Sequence, residues 1–181
     1  DHSSLETIIY AGAPMYREDQ KHALRKLGPC LVQYFGLGEV TGNIAVLPPA
    51  WHSLEDDPAM PIGSCGYPRT GIEIAILDAE YRRLPPNETG EICVRGPAVM
   101  AGYFENPSAN EKAFAGGWFH TGDLGHLDAR GFLHITGRQS DMYISGGSNV
   151  YPREVEEALL THPSVAEACV VGMPRVKRWE A

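Results

Sequence analysis

A strand–helix–strand pattern near the start of the chain is the feature that most constrains the fold. Residues 5–10 (LETIIY) form a short β-branched run that ends at Gly12-Ala13-Pro14. An amphipathic helix is predicted over residues 15–27, stopped by Gly28-Pro29, and a second strand over residues 30–35 (CLVQYF). A strand, a helix and a strand within about thirty residues predict a βαβ unit with parallel strands.

Two loops follow the carboxyl ends of these predicted strands, where ligands bind in parallel sheets. The first is Gly12-Ala13-Pro14 and the second is Gly36-Leu37-Gly38-Glu39. Mg²⁺ prefers one or two carboxylates together with phosphate oxygens, so Glu39 is a candidate metal ligand in a glycine-flanked loop. A solvated loop glutamate is the alternative that the local sequence leaves open.

The middle of the chain predicts antiparallel strands. Residues 72–77 (IEIAIL) and 91–95 (EICVR) alternate in hydrophobicity, and residues 124–126 and 132–135 flank a good hairpin turn. This region is therefore expected to be antiparallel, either barrel-like or a small sheet. The Pro-, Gly- and Asp-rich residues 48–71 are predicted to form a loop.

Three further elements are predicted. Residues 106–113 favour a short capped helix, and residues 153–160 favour a helix with Pro152 in its first turn. Residues 168–171 are apolar enough for a strand that ends before Gly172-Met173-Pro174.

Composition limits the function classes. A net charge of −8 argues against a general binder of nucleic acid or anionic membrane, although a local phosphate site remains possible. No run reaches the ~18 apolar residues of a membrane span, and we predict no signal peptide within this sequence. The four cysteines lie far apart without a CxxC pair, which predicts buried, reduced thiols in a cytoplasmic protein. Because the chain of 181 residues starts at Asp1 and stops in a charged run, we expect a piece of a longer protein.

Two charged residues are candidates for ligand binding. Asp123 follows Thr121-Gly122 in a tight turn, where a carboxylate is suited to accept two hydroxyl hydrogen bonds, as from a ribose. The alternative is an ordinary Asp turn that bonds its own backbone. Arg138 ends a strand and can bind phosphate or carboxylate groups, or it can form a surface ion pair with an acid such as Asp141.

Other motifs point less clearly to chemistry. The run Ser145-Gly146-Gly147-Ser148-Asn149 would let a ligand approach the backbone, but it is not a P-loop. His126 and His134 are expected to face each other across the hairpin, and His120 lies nearby. No Cys or acid stands at ligand spacing, so these are taken as strand histidines rather than a metal site. The chain lacks the GxSxG and Cys/His patterns of a nucleophilic triad.

Taken in order along the chain, these stretches resemble the adenylate-forming superfamily of acyl-CoA synthetases, peptide-synthetase adenylation domains and beetle luciferases. The ordered set carries the resemblance more than any single piece. Its long final run is most similar to acyl-CoA synthetases that handle fatty or related carboxylic acids. The matching stretches are Gly90-Glu91 to Gly102-Tyr103, Gly117 to Asp123, Gly137-Arg138, and Ser145 to Glu156.

The resemblance implies an ATP-dependent acid–thiol ligase. Such an enzyme joins a carboxylic acid to AMP from MgATP, releases pyrophosphate, and then transfers the acyl group to CoA. Glu39 would hold Mg²⁺, Asp123 would bind the ribose hydroxyls, and Arg138 would contact ribose or phosphate. The nucleotide-binding residues that the resemblance implies are Gly12, Ala13, Pro14, Tyr34, Phe35, Gly36, Glu39, Asp123 and Arg138.

The resemblance also implies two domains. Residues 1–137 would be the last part of the large AMP-binding domain, and residues 138–181 the start of a small α+β domain. Ser140 would be the hinge, at a position that is often Asp or Lys in the family. Gly146 and Gly147 would border the path of the CoA pantetheine. The fold expected overall is α/β to α+β: a βαβ unit of a larger parallel sheet, antiparallel strands, then the small domain.

The chain departs from the family pattern in the usual Tyr-Gly-x-Thr-Glu motif. Phe35 lacks the phenol and Gly38 lacks the hydroxyl, and Tyr34 is a candidate to compensate. The phosphate loop of the family would precede Asp1, and its adenylation lysine would follow Ala181, because Lys177 is not in that context. We therefore expect this chain alone to be inactive or nearly so.

Two alternatives stay open beside the CoA ligase. One is an adenylation enzyme that loads a carrier protein. The other is a non-catalytic nucleotide-binding or protein-interaction module. The identity of the acid and the oligomeric state are not set by the sequence.

Overall fold

A computed structural model describes residues 3–13, 15–55, 62–145 and 148–173 of the chain. These ranges form a mixed fold of helices and sheets, which confirms the predicted fold class. The helices are α1 (Arg17–Leu27), α2 (Pro107–Ala113) and α3 (Pro152–Leu160). The strands are β1 (Ile8–Tyr10), β2 (Leu31–Phe35), β3 (Ala45–Leu47), β4 (Tyr67–Pro68), β5 (Glu73–Leu77), β6 (Gly90–Arg95), β7 (Phe119–Leu127), β8 (Leu133–Arg138), β9 (Tyr143–Ser145) and β10 (Ser148–Val150).

The first sheet has the strand order β1-β2-β3-β4. β1 and β2 are parallel, with Ile8 opposite Leu31, and α1 connects them, so the predicted βαβ unit is confirmed. β3 and β4 then extend the sheet in antiparallel pairing. β4 lies inside the stretch that was predicted to be a loop. It has only two residues, one of them Pro68, and such a short segment has no periodicity by which to find it.

Helix α1 buries one face and ends where expected. Gly28 takes φ 81°, and its amide donates to the carbonyl of Leu24 at 3.0 Å. The buried face contains Leu24 but also Gln20, a polar residue that the apolar pattern did not include. Gln20 Oε1 accepts a hydrogen bond from the amide of Gly63 at 3.1 Å, which ties the helix to the distant loop before β4.

The second sheet is an antiparallel meander with the order β5-β6-β7-β8, and β5 and β8 form its edges. Its pairing shifts register twice around β7. One shift lies opposite Glu91 and Cys93 of β6, and the other lies between Leu124 and Gly125 on the β8 side. Bulges of this kind re-aim side chains, and Asp123 lies within the first shift, between His120 and Leu124.

One hydrophobic core joins the two sheets. It takes residues from the β2–β3 segment and from all four strands of the second sheet, so the two sheets form one packed unit. The buried members are Phe35, Val40, Ile44, Ala45, Cys65, Ile72, Ile74, Ile76, Ile92, Val94, Phe119 and Leu133.

The hairpin of β7 and β8 brings two histidines together, as predicted. His126 lies opposite His134, and their rings stack with centroids 4.8 Å apart. Burial lowers the pKa of both imidazoles. The Asp128 carboxylate, 3.7 Å from His134 Nε2, only partly offsets this for His134.

Lowering the pH is expected to destabilise this hairpin. The unfolded histidines titrate near about pH 6.5 and the folded ones lower, so the unfolded chain binds more protons as the pH falls below about 6.5. The free energy of unfolding should therefore fall on acidification. The thermal midpoint at about pH 7 and about pH 5 measures this, and His134→Gln should reduce the drop. His22→Gln, on the exposed face of α1, is the matched control. An equal drop in wild type and His134→Gln would refute the prediction.

The last part of the chain contains the β9–β10 hairpin and α3. The prediction of a strand at residues 168–171 is wrong, because within the described residues this segment pairs with no strand. The amide of Val170 donates instead to Glu156 Oε1 at 2.9 Å. Among the cysteines, Cys30, Cys65 and Cys93 are buried as predicted, but Cys169 is exposed. No described helix has the length and apolarity needed to cross a membrane.

Candidate functional site

Most of the residues implied for nucleotide binding line one cavity of about 270 Å³. The cavity opens at the carboxyl ends of β1 and β2 and is closed on the other side by β7 and β8. The βαβ unit and the antiparallel sheet thus contribute one wall each. The implied residues in its lining are Gly12, Ala13, Tyr34, Phe35, Gly36, Asp123 and Arg138. Pro14 lies outside the described residues.

The β2 wall is shaped by side-chain alternation and by a close backbone contact. Side chains alternate along β2, so Phe35 is buried in the core and the adjacent Tyr34 is half-buried on the opposite face. Both residues are part of the cavity lining. Gly36 cannot carry a side chain, because a Cβ would lie 2.5 Å from the carbonyl oxygen of Gly42. The loop after β2 can therefore pack this tightly only with glycine at that position.

Asp123 lies in the β7 bulge and is only 6% exposed. Burial raises the pKa of its carboxyl, and the Arg138 guanidinium partly offsets this, with Nε 3.3 Å from Oδ1. Within the described residues, its carboxylate makes no hydrogen bond to its own backbone. The alternative of an ordinary Asp turn is therefore not what the structure shows, and the carboxylate points into the cavity.

Arg138 ends β8 directly opposite Asp123. It pairs with Asp123 and not with Asp141, whose carboxylate accepts a hydrogen bond from Ser140 Oγ at 2.8 Å. The Arg138 side chain is 68% exposed, and exposed ion pairs contribute about 0–1 kcal/mol. The Arg138 guanidinium can therefore leave this ion pair and bind an anionic ligand with little loss of free energy.

Glu39 borders a second, neighbouring cavity of about 600 Å³, which it shares with Arg138 and Ser140. The carboxylate is oriented by Tyr103, whose hydroxyl donates to Oε1 at 3.0 Å. The other oxygen, Oε2, has no hydrogen-bond partner among the described residues. A solvent-accessible carboxylate with one oxygen oriented and one open fits one of the one or two carboxylate ligands that phosphate-bound Mg²⁺ prefers. Sequence reasoning gave Tyr103 no role, and its place in the Gly102-Tyr103 motif was the available signal.

The departure from the family pattern at position 38 is not imposed by packing. A Cβ on Gly38 would meet nothing within 4 Å, and its φ lies outside the positive region that favours glycine. The missing hydroxyl is therefore a chemical difference and not a steric necessity. Tyr34 borders the same cavity as Phe35, which places a phenol near the position that lacks one.

Ser140 lies between β8 and β9, on the rim of the second cavity, and is exposed. Gly137, just before the end of β8, has φ 155°. The predicted hinge thus falls in an exposed connection between two paired elements. Gly146 and Gly147, predicted to border the CoA path, lie outside the described residues, between β9 and β10.

Helix α3 contacts the loop after β1, and sequence reasoning missed this contact. Arg153 Nη2 donates to the carbonyl of Met15 at 3.0 Å, and Glu156 Oε2 accepts from the hydroxyl of Tyr16 at 2.9 Å. Arg153 and Glu156 also line the first cavity. The helix therefore lies over the same cavity that Asp123 faces.

Comparison with known families identifies the class of protein to which this fold and this cavity belong. The model of the AMP-binding enzyme family matches residues 1–104, and that of the AMP-binding enzyme C-terminal domain matches residues 154–181. The chain belongs to the AMP-binding enzyme family, which confirms the resemblance found in the sequence.

Three similar proteins show the range of the family. A medium/long-chain-fatty-acid–CoA ligase of Mycobacterium tuberculosis is 40% identical over 100% of this chain and 31% of its own length. A fatty acid–[acyl-carrier-protein] ligase of Streptomyces coeruleorubidus is 40% identical over 99% and 34%. The structure of O-succinylbenzoate coenzyme A synthetase of Bacillus subtilis with ATP and magnesium ion is 41% identical, with a TM-score of 0.81 over 96% and 35%. The chain spans about a third of the length of these proteins.

Proposed function

We propose that this chain is part of an ATP-dependent acyl-CoA synthetase. The observation that carries the proposal is the shared cavity, in which the Asp123–Arg138 pair faces the loops after β1 and β2. The relatives and the solved structures with ATP and magnesium support the same assignment. The full-length protein would convert a carboxylic acid, ATP and CoA to acyl-CoA, AMP and pyrophosphate.

Each polar residue has a role that its surroundings support. Asp123 binds the two ribose hydroxyls, because it presents a buried carboxylate to the cavity. Arg138 contacts ribose or phosphate from the exposed end of β8. Glu39 would hold Mg²⁺ through its open oxygen while Tyr103 orients the other. Mg²⁺, when bound, would neutralise phosphate charge while a carboxylate oxygen of the acid bonds to the α-phosphorus and pyrophosphate leaves.

The two domains are proposed to meet at residues 137–138. The large-domain part, residues 1–137, carries Glu39 and Asp123, and the small-domain part, residues 138–181, carries α3. Ser140 is the proposed hinge, around which the small domain turns between adenylation and thioester formation. After this turn, Gly146 and Gly147 would border the pantetheine path.

Ser140→Pro in the full-length protein should spare adenylation and slow thioester formation by about tenfold, because a ring that fixes φ stiffens the hinge. Acid-dependent pyrophosphate release and acyl-CoA formation measure the two steps separately. Ser140→Ala is the control, and it should leave both rates near wild type. Equal losses in both steps for Ser140→Pro would argue against a hinge at this residue.

The acyl acceptor is proposed to be CoA, and the acid a fatty or related carboxylic acid used in a cytoplasmic pathway. A carrier protein as acceptor is the second candidate, favoured by the similarity to the acyl-carrier-protein ligase. A non-catalytic nucleotide-binding module is the remaining alternative. The residues of this chain alone are proposed to be inactive, since the phosphate loop and adenylation lysine of the family have no counterpart in it.

The test is a panel of carboxylic acids on the full-length protein, read by pyrophosphate release. Active acids are then offered with CoA or with a carrier protein, and the thioester product is quantified. Acid-dependent pyrophosphate release followed by acyl-CoA supports the proposal. Transfer of the acyl group to the carrier protein but not to CoA would favour the second candidate. If no acid causes pyrophosphate release, the non-catalytic nucleotide-binding module is the remaining interpretation.

A further inference from the structure

Three side chains next to the β7 bulge form a polar cluster to which sequence reasoning assigned no role. His120 Nδ1 lies 2.7 Å from Glu91 Oε2 and 3.4 Å from Cys93 Sγ. His120 Nε2 lies 3.1 Å from the carbonyl oxygen of Ala115, and the ring of Tyr81 packs on the imidazole with centroids 5.3 Å apart. In the sequence, no Cys or acid stands at metal-ligand spacing from His120, which predicts a strand histidine. The fold nevertheless brings Glu91, Cys93 and His120 together.

The geometry of the cluster is that of a hydrogen bond and not of a preformed metal site. Two ligands of one tetrahedral Zn²⁺, at about 2.0–2.1 Å each, stand roughly 3.3 Å apart, well beyond the separation of His120 Nδ1 and Glu91 Oε2. Burial also raises the pKa of the Cys93 thiol, which opposes the thiolate that a metal needs. A hydrogen bond therefore joins His120 and Glu91, and the Ala115 carbonyl accepts a hydrogen bond from the other ring nitrogen of His120.

The second oxygen of Glu91 holds the backbone of the bulge. Glu91 Oε1 accepts from the amide of Gly122 at 3.1 Å, and Gly122 takes φ 75° in the bulge. The hydroxyl of Thr121 donates to the carbonyl of Ile92 at 2.7 Å. Side chains thus replace the ladder hydrogen bonds that a bulge loses. Asp123 is the next residue along the chain, so its direction depends on this backbone.

We propose that Glu91 and His120 are positioning residues that fix the β7 bulge and thereby aim the Asp123 carboxylate into the nucleotide cavity. His120 holds the carboxylate of Glu91 in place, and Glu91 holds the amide of Gly122. Neither residue needs to touch the nucleotide, since both act through Asp123. The inference rests on the proposed function, because it assigns Asp123 to the ribose.

The first test is a pair of substitutions at Glu91 in the full-length protein. Glu91→Ala removes both hydrogen bonds and should raise the KM for ATP by about tenfold or more, with a smaller change in kcat. Glu91→Gln should stay within about threefold of wild type, because its amide oxygen still accepts from Gly122 and its amide nitrogen donates to a neutral His120. Glu73→Ala, in an exposed ion pair of the same sheet, is the matched control and should leave the KM unchanged.

A double-mutant cycle with Asp123→Ala tests whether Glu91 acts through Asp123. If it does, Glu91→Ala has little further effect on the KM for ATP once Asp123 is gone. Additive effects, or a Glu91→Ala variant with the wild-type KM, would overturn the inference. If Glu91→Ala does not fold, His120→Gln takes its place in the same cycle with the same two outcomes.

Hydrogen exchange at the Gly122 amide separates this inference from the proposed function. The amide should be protected in wild type and in Glu91→Gln and should exchange at least about tenfold faster in Glu91→Ala or His120→Gln. Equal protection in every variant would overturn the inference even in an active enzyme. If the amide protection follows this pattern although the wild type releases no pyrophosphate, the proposed function and the ribose role of Asp123 are refuted. That result would still support the contact between Glu91 and the bulge.

Discussion

Asp123→Ala in the full-length protein is expected to raise the KM for ATP by about 100-fold. Hydrogen bonds to a charged group contribute about 1.5–3 kcal/mol each, and the carboxylate would lose two, to the ribose hydroxyls. A loss of about 3 kcal/mol corresponds to roughly 100-fold in binding. The KM for ATP, measured by pyrophosphate release with an active acid, checks the value.

The variant is expected to fold. Arg138, the ion-pair partner of Asp123, has a side chain that is 68% exposed, so water can solvate it when the carboxylate is removed. Asp19→Ala, at an exposed position of α1, is the matched control and should keep the wild-type KM. Unchanged ATP kinetics in Asp123→Ala would remove this residue from the ribose site.

Glu39→Gln is expected to lower kcat for adenylation by about 100-fold or more at a fixed Mg²⁺ concentration. The substitution keeps the shape of the side chain, and the amide oxygen can still accept from Tyr103, but the negative charge for the metal is lost. Charge stabilisation by a bound metal ion amounts to several kcal/mol. Raising the Mg²⁺ concentration should recover part of the rate.

The matched control is Glu88→Gln, at an exposed position in the connection before β6, which should retain wild-type kinetics. A titration of pyrophosphate release against Mg²⁺ is the deciding measurement. If Glu39→Gln and wild type show the same Mg²⁺ dependence, Glu39 is not a metal ligand.

The parts of the fold that local physics determines were predictable from the sequence. The βαβ unit, the capped helix α2 and the β7–β8 hairpin follow from periodicity and turn residues. Asn106 caps α2 by accepting from the amide of Ala109, as its position before Pro107 indicates. Helix α1 begins two residues later than predicted, at Arg17, which is the usual uncertainty of helix ends.

The parts set by distant contacts were not predictable. β3 and β4 are too short to show a period, and they are defined by their pairing, β3 with β2 and β4 with β3. The buried Gln20 is explained only by the amide of Gly63 in a remote loop. The segment before Gly172 is apolar, yet within the described part of the chain it pairs with no strand, and the amide of Val170 donates to Glu156.

The candidate site divides in the same way. The residue types at Glu39, Asp123 and Arg138 were visible in the sequence, together with the loops that carry them. Their partners were not, since Tyr103 reaches Glu39 across 64 positions of the chain. The pairing of Arg138 with Asp123 required the register of β7 and β8, which a one-residue slip would have changed.

The contact of α3 with the loop after β1 has a consequence for access to the cavity. Arg153 and Glu156 hydrogen-bond to Met15 and Tyr16 and also line the cavity, so these bonds hold one of its walls in place. Under the proposed function, moving α3 away from this loop would open that wall, and the departure of AMP would then depend on breaking the same two hydrogen bonds.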